Sequence, residues 1–230
     1  MAPSTRTLFV IGIGPGIGRS VTSLFASKRY ANVALFARRA TSLATEKKAL
    51  EDAVGGVKVG TYAVDVADGA ALSRALDEAE AALGKPECVF YNAARVQPSE
   101  LLSHDVGEIE VDFKINVSSL YIVAQRVIPS LIALGKADAE AIPSLVVTSS
   151  MLPHEPMPQL FALSLAKAAQ RNLVQSLEMT YGKQGVHLGL INVGGPVSPE
   201  HDTLNPTNIA DRAWDWFSQL KENPQFEVKI

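Results

Sequence analysis

The stretch Gly12-Ile13-Gly14-Pro15-Gly16-Ile17-Gly18 is the first place where residue type and spacing suggest chemistry. It follows the apolar run Leu8-Phe9-Val10-Ile11 and precedes a helical pattern. Glycine suits a turn that must bend sharply and bring backbone N–H groups against a phosphate, and a helix N-terminus behind that turn favours the negative charge. The glycines satisfy G-x-x-x-G-x-G through Gly12, Gly16 and Gly18, while Ile17 stands where G-x-G-x-x-G would place its last glycine. A tight structural turn is the alternative for the glycines alone. The order strand, loop, helix favours a pyrophosphate cradle built from Gly12, Gly14, Pro15, Gly16, Ile17 and Gly18.

A second signal lies at the end of the next strand pattern, which reads Phe36-Ala37-Arg38-Arg39. A carboxylate at that place accepts hydrogen bonds from a ribose 2′-OH, whereas a guanidinium meets a 2′-phosphate. No acid stands here, so the expected cofactor is NADP(H), with Arg38 and Arg39 at its phosphate; a solvated basic pair is the alternative.

These residues need a scaffold, and the chain supplies one by alternation. Strand patterns at Thr7–Ile11, Val33–Phe36, Val57–Val64, Glu87–Tyr91, Ser144–Thr148, Val186–Asn192 and Phe226–Ile230 alternate with helical patterns. The helices are expected near Ile17–Lys28, Ser42–Ala53, Ala70–Leu83, Ile109–Leu134, Gln159–Tyr181 and Ile209–Gln219, with Gly182 and Gly185 stopping the fifth. This order predicts an α/β fold: a Rossmann-like, doubly wound, seven-stranded parallel sheet with helices on both faces. Residues 1–230 read as one domain, since no linker, repeat or low-complexity tract divides them. The fifth helix, with Phe161-Ala162-Leu163-Ser164-Leu165-Ala166, is apolar around most of its circumference, and its cover is expected to come partly from a second copy in a dimer or tetramer.

Composition bounds the partners. With 47% hydrophobic and 20% charged residues and a formal charge of −3, the chain has no basic footprint for nucleic acid or an anionic membrane. The run Leu8–Ile13 is too short to span a bilayer and lacks a signal-peptide cleavage pattern. The single Cys88 excludes an internal disulfide and reads as a core residue in a reducing, cytoplasmic setting. No cluster suggests a metal.

Several further motifs arrive in an order that resembles the short-chain dehydrogenase/reductase family over essentially the whole chain. Gly12, Gly16 and Gly18 match its glycine loop, Asp65-Val66 its adenine-contacting pair, and Asn92-Ala93-Ala94 its Asn-Ala-Gly motif with Ala94 in place of the last glycine. Asn116 in Lys114-Ile115-Asn116-Val117 matches the family asparagine near the active site, Ser149-Ser150 the serine pair, and Lys167 the lysine that binds nicotinamide ribose. Asn192 through Pro196 resembles the nicotinamide-contacting segment, with Val197 where glycine is usual. The resemblance implies catalytic roles for Ser150, Lys167 and Asn116 and cofactor contacts at Asp65, Val66, Asn92, Ala93, Ala94, Lys167, Pro196 and Val197. Taken singly, Ser150 also reads as a strand-end cap, Asn116 as a helix-cap residue and Lys167 as a solvated helix charge.

One departure matters. The family's acid is a tyrosine four residues before the lysine, one helical turn away, and here that position is Leu163. A positioned general acid contributes about 10²–10⁴ in rate, so ketone reduction needs another donor or a substrate that needs none. His154, in the loop leaving the fifth strand, is the candidate donor, with a surface histidine as its alternative; His201 is weaker, and His187 and His104 read as structural. A cationic imine would accept hydride without a donor. The sequence therefore predicts an NADP(H)-dependent oxidoreductase acting on a small carbonyl, alcohol or imine. A non-catalytic NADP(H)-binding regulatory protein and a non-redox isomerase or cyclase are the alternatives.

Overall fold

The computed structural model describes residues 5–219 and 224–230. Seven strands, β1 (Thr7–Ile11), β2 (Asn32–Ala37), β3 (Lys58–Ala63), β4 (Cys88–Tyr91), β5 (Ser144–Ser150), β6 (His187–Val193) and β7 (Glu227–Lys229), form one sheet in the order β3-β2-β1-β4-β5-β6-β7. All pair in parallel. Every residue of β1 and β4 is buried, because parallel strands covered on both faces must be apolar throughout. The edge strand β3 instead mixes buried and exposed positions. The predicted doubly wound architecture is the one observed.

The connections run outward in both directions from β1 and β4, so the loops at the C-terminal edge of these two strands part and leave a crevice. Helices α1 (Ile17–Lys28), α2 (Ala40–Ala53) and α7 (Pro206–Phe217) pack on one face, around Val21, Phe25, Leu43, Leu50, Ile209 and Trp216. Helices α3 (Gly69–Leu83), α5 (Ser119–Ala137) and α6 (Phe161–Tyr181) cover the other, with Leu76, Leu120, Val127 and Val174 among the buried contacts.

Two elements differ from the sequence expectation. The single helix expected over Ile109–Leu134 is α4 (Val106–Phe113), then a wider π-helical stretch at Lys114–Ser118, then α5. The whole run Val106–Ala137 is long and apolar enough to cross a membrane by length and composition, although its inner side packs in the core through Leu120, Val123, Val127 and Leu131. The second difference is α6. Its buried stripe includes the polar Ser164, Lys167 and Gln170 beside Ala162, Leu163 and Val174, while the apolar Leu165 and Met179 are exposed. Its end is as expected: α6 stops at Tyr181 and Gly185 takes the left-handed conformation at φ 87°.

The edge of the sheet opposite the crevice is clasped by Glu87, which is 1% exposed. Its carboxylate accepts from Arg6, from Arg29 Nε and Nη2 at 2.8 Å each, and from the Ile142 N–H at 2.9 Å. The carboxylate joins α1, β4 and the segment before β5 at a point where unpaired charges would be costly. Replacing it with alanine leaves two half-buried guanidiniums without their shared anion, and Glu87→Ala is expected to lower stability by about 3 kcal/mol. Urea denaturation checks this; an unchanged midpoint would mean that the clasp contributes nothing.

Candidate functional site

The crevice begins where the β1 and β4 turns touch. Gly12 has φ 91°, and a Cβ there would lie 2.4 Å from the backbone nitrogen of Ala93. Asn92 Nδ2 donates to the Gly12 carbonyl at 2.9 Å, and the N–H groups of Gly12 and Ile13 donate to the Phe36 carbonyl at 2.9 and 3.1 Å. Three strand ends are thus tied through one glycine. Gly18 serves packing as well, with its Cβ position 3.3 Å from the Gly12 carbonyl oxygen. Gly14 and Gly16 differ, since a side chain at either would meet nothing within 4 Å. Helix α1 starts behind Gly16 with no side chain capping it, which leaves first-turn N–H groups for an anion.

A cleft of about 420 Å³ opens at this turn. Of the residues singled out in the sequence, Gly12, Gly14, Pro15, Arg38, Arg39, Asp65, Val66, Asn92, Ala93 and Ala94 line it. Gly16, Ile17, Gly18, Lys167, Pro196 and Val197 are not part of its wall. Asp65 also forms a turn, its Oδ1 accepting from the Ala67 N–H at 2.9 Å. Arg38 and Arg39 are exposed at the rim, with Arg39 Nε donating to Ser42 Oγ at 3.2 Å.

Arg19, Glu46 and Arg95 also line the cleft, and sequence reasoning passed over them. Arg19 grips the buried Glu46 carboxylate through Nε and Nη2 at 2.7 and 2.8 Å. Arg95 donates to Asp112 at 2.8 Å and to Glu108. Nothing local announces these pairs, because Arg19 and Glu46 lie 27 residues apart on different helices.

A second polar group collects where β5, α6 and the π-helical stretch meet. Lys167, 5% exposed, donates from Nζ to the Thr148 carbonyl at 3.0 Å and to Gln170 Oε1 at 2.9 Å. Gln170 Nε2 in turn donates to the Asn116 carbonyl at 2.9 Å. Asn116 is fully buried, its Nδ2 donating to the Asp112 carbonyl at 2.9 Å while Oδ1 has no partner. The Thr148 and Ser149 hydroxyls and Asn192 Oδ1 are likewise buried and without partners, an unusual concentration of unmet polar atoms in one region. Ser150, at the end of β5, accepts from the Leu152 N–H at 3.2 Å. Burial lowers the pKa of Lys167 to about 7.

Leu163, one turn before Lys167, is buried and apolar. The Tyr91 hydroxyl is spent on the Ile115 carbonyl and the Ser119 hydroxyl. His154 faces β7: its Nε2 lies 3.5 Å from Glu227 Oε1, and the same carboxylate accepts from Arg171 at 3.1 Å and Asn192 at 3.2 Å. His201 accepts two loop N–H groups through Nδ1, and His187 stacks on Trp216 with ring centroids 3.6 Å apart.

Two glycines with opposite surroundings should respond oppositely. Gly12→Ala introduces a clash with backbone and a strained φ, and is expected to lower stability by more than about 2 kcal/mol. Gly14→Ala should keep the thermal midpoint within a degree or two while weakening binding of pyrophosphate ligands by calorimetry; equal stability of the two variants would refute the assignment. The buried Lys167 gives a second expectation. Its ammonium titrates near 7 in the folded chain against an ordinary 10.5, so the unfolded chain holds the extra proton between those values and stability rises with pH there. Relative to Lys167→Met, the native protein should gain about 1 kcal/mol per pH unit across that window. Parallel pH slopes for the two proteins in urea unfolding would contradict it.

Comparison with known proteins places this geometry in context. The family model described as short chain dehydrogenase matches residues 6–208. The chain is 28% identical over 183 residues to human 17-beta-hydroxysteroid dehydrogenase 13, covering 78% of this chain and 58% of that one. It is 27% identical over 188 residues to 3-dehydrosphinganine reductase TSC10A of Arabidopsis thaliana, covering 81% of this chain and 55% of the relative. The chain therefore spans a little more than half the length of these two relatives. Among solved structures, the NADPH-bound short chain oxidoreductase of Pseudomonas aeruginosa PAO1, containing an atypical catalytic center, superimposes with a TM-score of 0.85 at 19% identity, covering 99% of this chain and 96% of that one. With a family match over most of its length and the sheet order described above, the chain belongs to the short chain dehydrogenase family.

Proposed function

We propose that the chain is an NADP(H)-dependent oxidoreductase with an atypical active site, acting on a small carbonyl, alcohol or imine. The observation that carries this reading is the cleft whose wall holds both the open turn at Gly14 and Pro15, just before α1, and the exposed Arg38 and Arg39. A Cβ at Gly14 would enter space that a pyrophosphate fits, and no carboxylate occupies the end of β2 to favour a free ribose hydroxyl. When bound, the dinucleotide supplies or receives a hydride.

This chain's own side chains would do the rest. Gly14 and Pro15, with the first turn of α1 behind them, would hold the diphosphate, Arg38 and Arg39 would meet the 2′-phosphate, and Asp65 and Val66 would flank the adenine. Lys167 would hold the ribose hydroxyls, and the Ser150 hydroxyl would donate to the oxygen of a carbonyl or alcohol substrate. Leu163 offers no proton, and His154 lies outside the cleft wall with its Nε2 toward Glu227, so a substrate that is already cationic suits this site better than a neutral ketone. Proteins of this fold hold NADPH in one case, with an atypical catalytic center, and NAD in another, so the choice of cofactor rests on Arg38 and Arg39 rather than on the fold.

Titration with NADPH and NADH, followed by nicotinamide fluorescence, tests the first half. NADPH should bind at least about 10-fold more tightly, and Arg38→Ala should erase most of that preference while leaving NADH affinity unchanged. Imines should consume NADPH and simple ketones should not. Equal binding of the two cofactors would remove the NADP assignment, and tight NADPH binding with no turnover of any carbonyl, alcohol or imine would favour a binding protein on this scaffold.

A further inference from the structure

Gln170 took no part in the sequence reading, yet it is fully buried on α6 with both ends of its amide engaged. Burying a primary amide is costly unless its hydrogen bonds are met, so a residue type this polar at 0% exposure calls for a reason. Its oxygen accepts from Lys167 Nζ at 2.9 Å and its nitrogen donates to the Asn116 carbonyl at 2.9 Å. The amide therefore spans from α6 to the π-helical stretch. A π-helical winding shifts the carbonyl register, and the Asn116 carbonyl is turned to a side-chain donor. We propose that Gln170 is the positioning residue for Lys167, holding its ammonium between α6, β5 and the π-helical stretch at the place where the polar end of the site is built.

The hydrogen-bond inventory makes the hold directional. An ammonium has three N–H donors, and two are fixed by the Thr148 carbonyl and Gln170. One donor is left for a ligand hydroxyl, in a direction that the other two define. Without Gln170, Nζ would keep a single acceptor and swing on four methylenes.

Charge does not do this work. Asp112 of α4 is bound to Arg95, and Glu227 of β7 to Arg171 and His154, while Glu110 and Lys114 are exposed. Glu108 also meets Arg95, and Arg126 of α5 pairs with Asp77 and Glu80. The Thr148 carbonyl and the Gln170 amide are thus the neutral partners that favour the charged form of Lys167, against a burial that disfavours it.

The proposal rests on the preceding reading only where it connects Lys167 to a cofactor ribose, and one experiment separates the two. Lysine labelled with 13C at Cε reports the titration of Lys167, assigned by Lys167→Arg, in the ligand-free full chain. In the native protein the midpoint should lie near 7. Gln170→Glu should raise it by at least about one unit and Gln170→Met should lower it, since one strengthens and the other removes the acceptor. NADPH affinity, measured on the same samples, should fall about 10-fold in Gln170→Met. Thermal midpoints identify any variant that does not fold, and Gln170→Glu, nearly equal in size, keeps the comparison available if Gln170→Met is lost. An unchanged Lys167 midpoint in Gln170→Glu overturns the proposal. Shifted midpoints in a chain that binds no NADPH would instead support the Gln170 assignment and overturn the cofactor reading.

Discussion

The contact between the first turn and the backbone after β4 is the constraint from which the site follows. Gly12 admits Ala93 at a distance no side chain would permit, and Asn92 locks the approach by donating to the Gly12 carbonyl. That closeness is possible because β1 and β4 are neighbours in a sheet whose chain order reverses between them. Topology opens the crevice, and the glycine lets its walls come near enough to share a ligand. Gly18 then seats α1 against the same turn, so that the helix begins directly behind it.

At the other end of the site the governing term is desolvation. Lys167, Asn116 and Gln170 are all withdrawn from water, and each is tolerable because of the others: lysine to glutamine, glutamine to the asparagine carbonyl, asparagine to Asp112. Partly met polar networks are costly, and this one retains an unpartnered oxygen on Asn116 and unpartnered hydroxyls on Thr148 and Ser149. Natural folds accept such local costs at functional sites more readily than elsewhere.

Much of this was legible in the sequence because it is local. Alternating apolar runs and helical periods predicted all seven strands, and the glycine turn and Arg38-Arg39 stand next to the strand ends that position them. Three things were not legible. The π-helical stretch at Lys114–Ser118 continues the same periodic pattern as the helices on either side, so composition offers no mark of it. The burial of Gln170 depends on how α6 is rotated, and an alanine-rich helix states its rotation weakly. The direction of His154 is set by Glu227, 73 residues later on a strand of three residues, and no spacing rule connects them.

The guanidiniums around the cleft show why position alone would mislead about specificity. Arg19, Arg38, Arg39 and Arg95 all line it, yet they are not equivalent. Arg19 is held bidentate by a buried glutamate, and Arg95 is held by an aspartate and a glutamate, so each brings its own anion and contributes little net field. Arg38 and Arg39 form no ion pair among the described residues and stand exposed, where binding an anion costs them little desolvation. The paired arginines are braces that fix α1 to α2 and the loop after β4 to α4. The unpaired ones carry the uncompensated charge at the end of β2, so any preference of the cleft for an anion there rests on them and not on the braces.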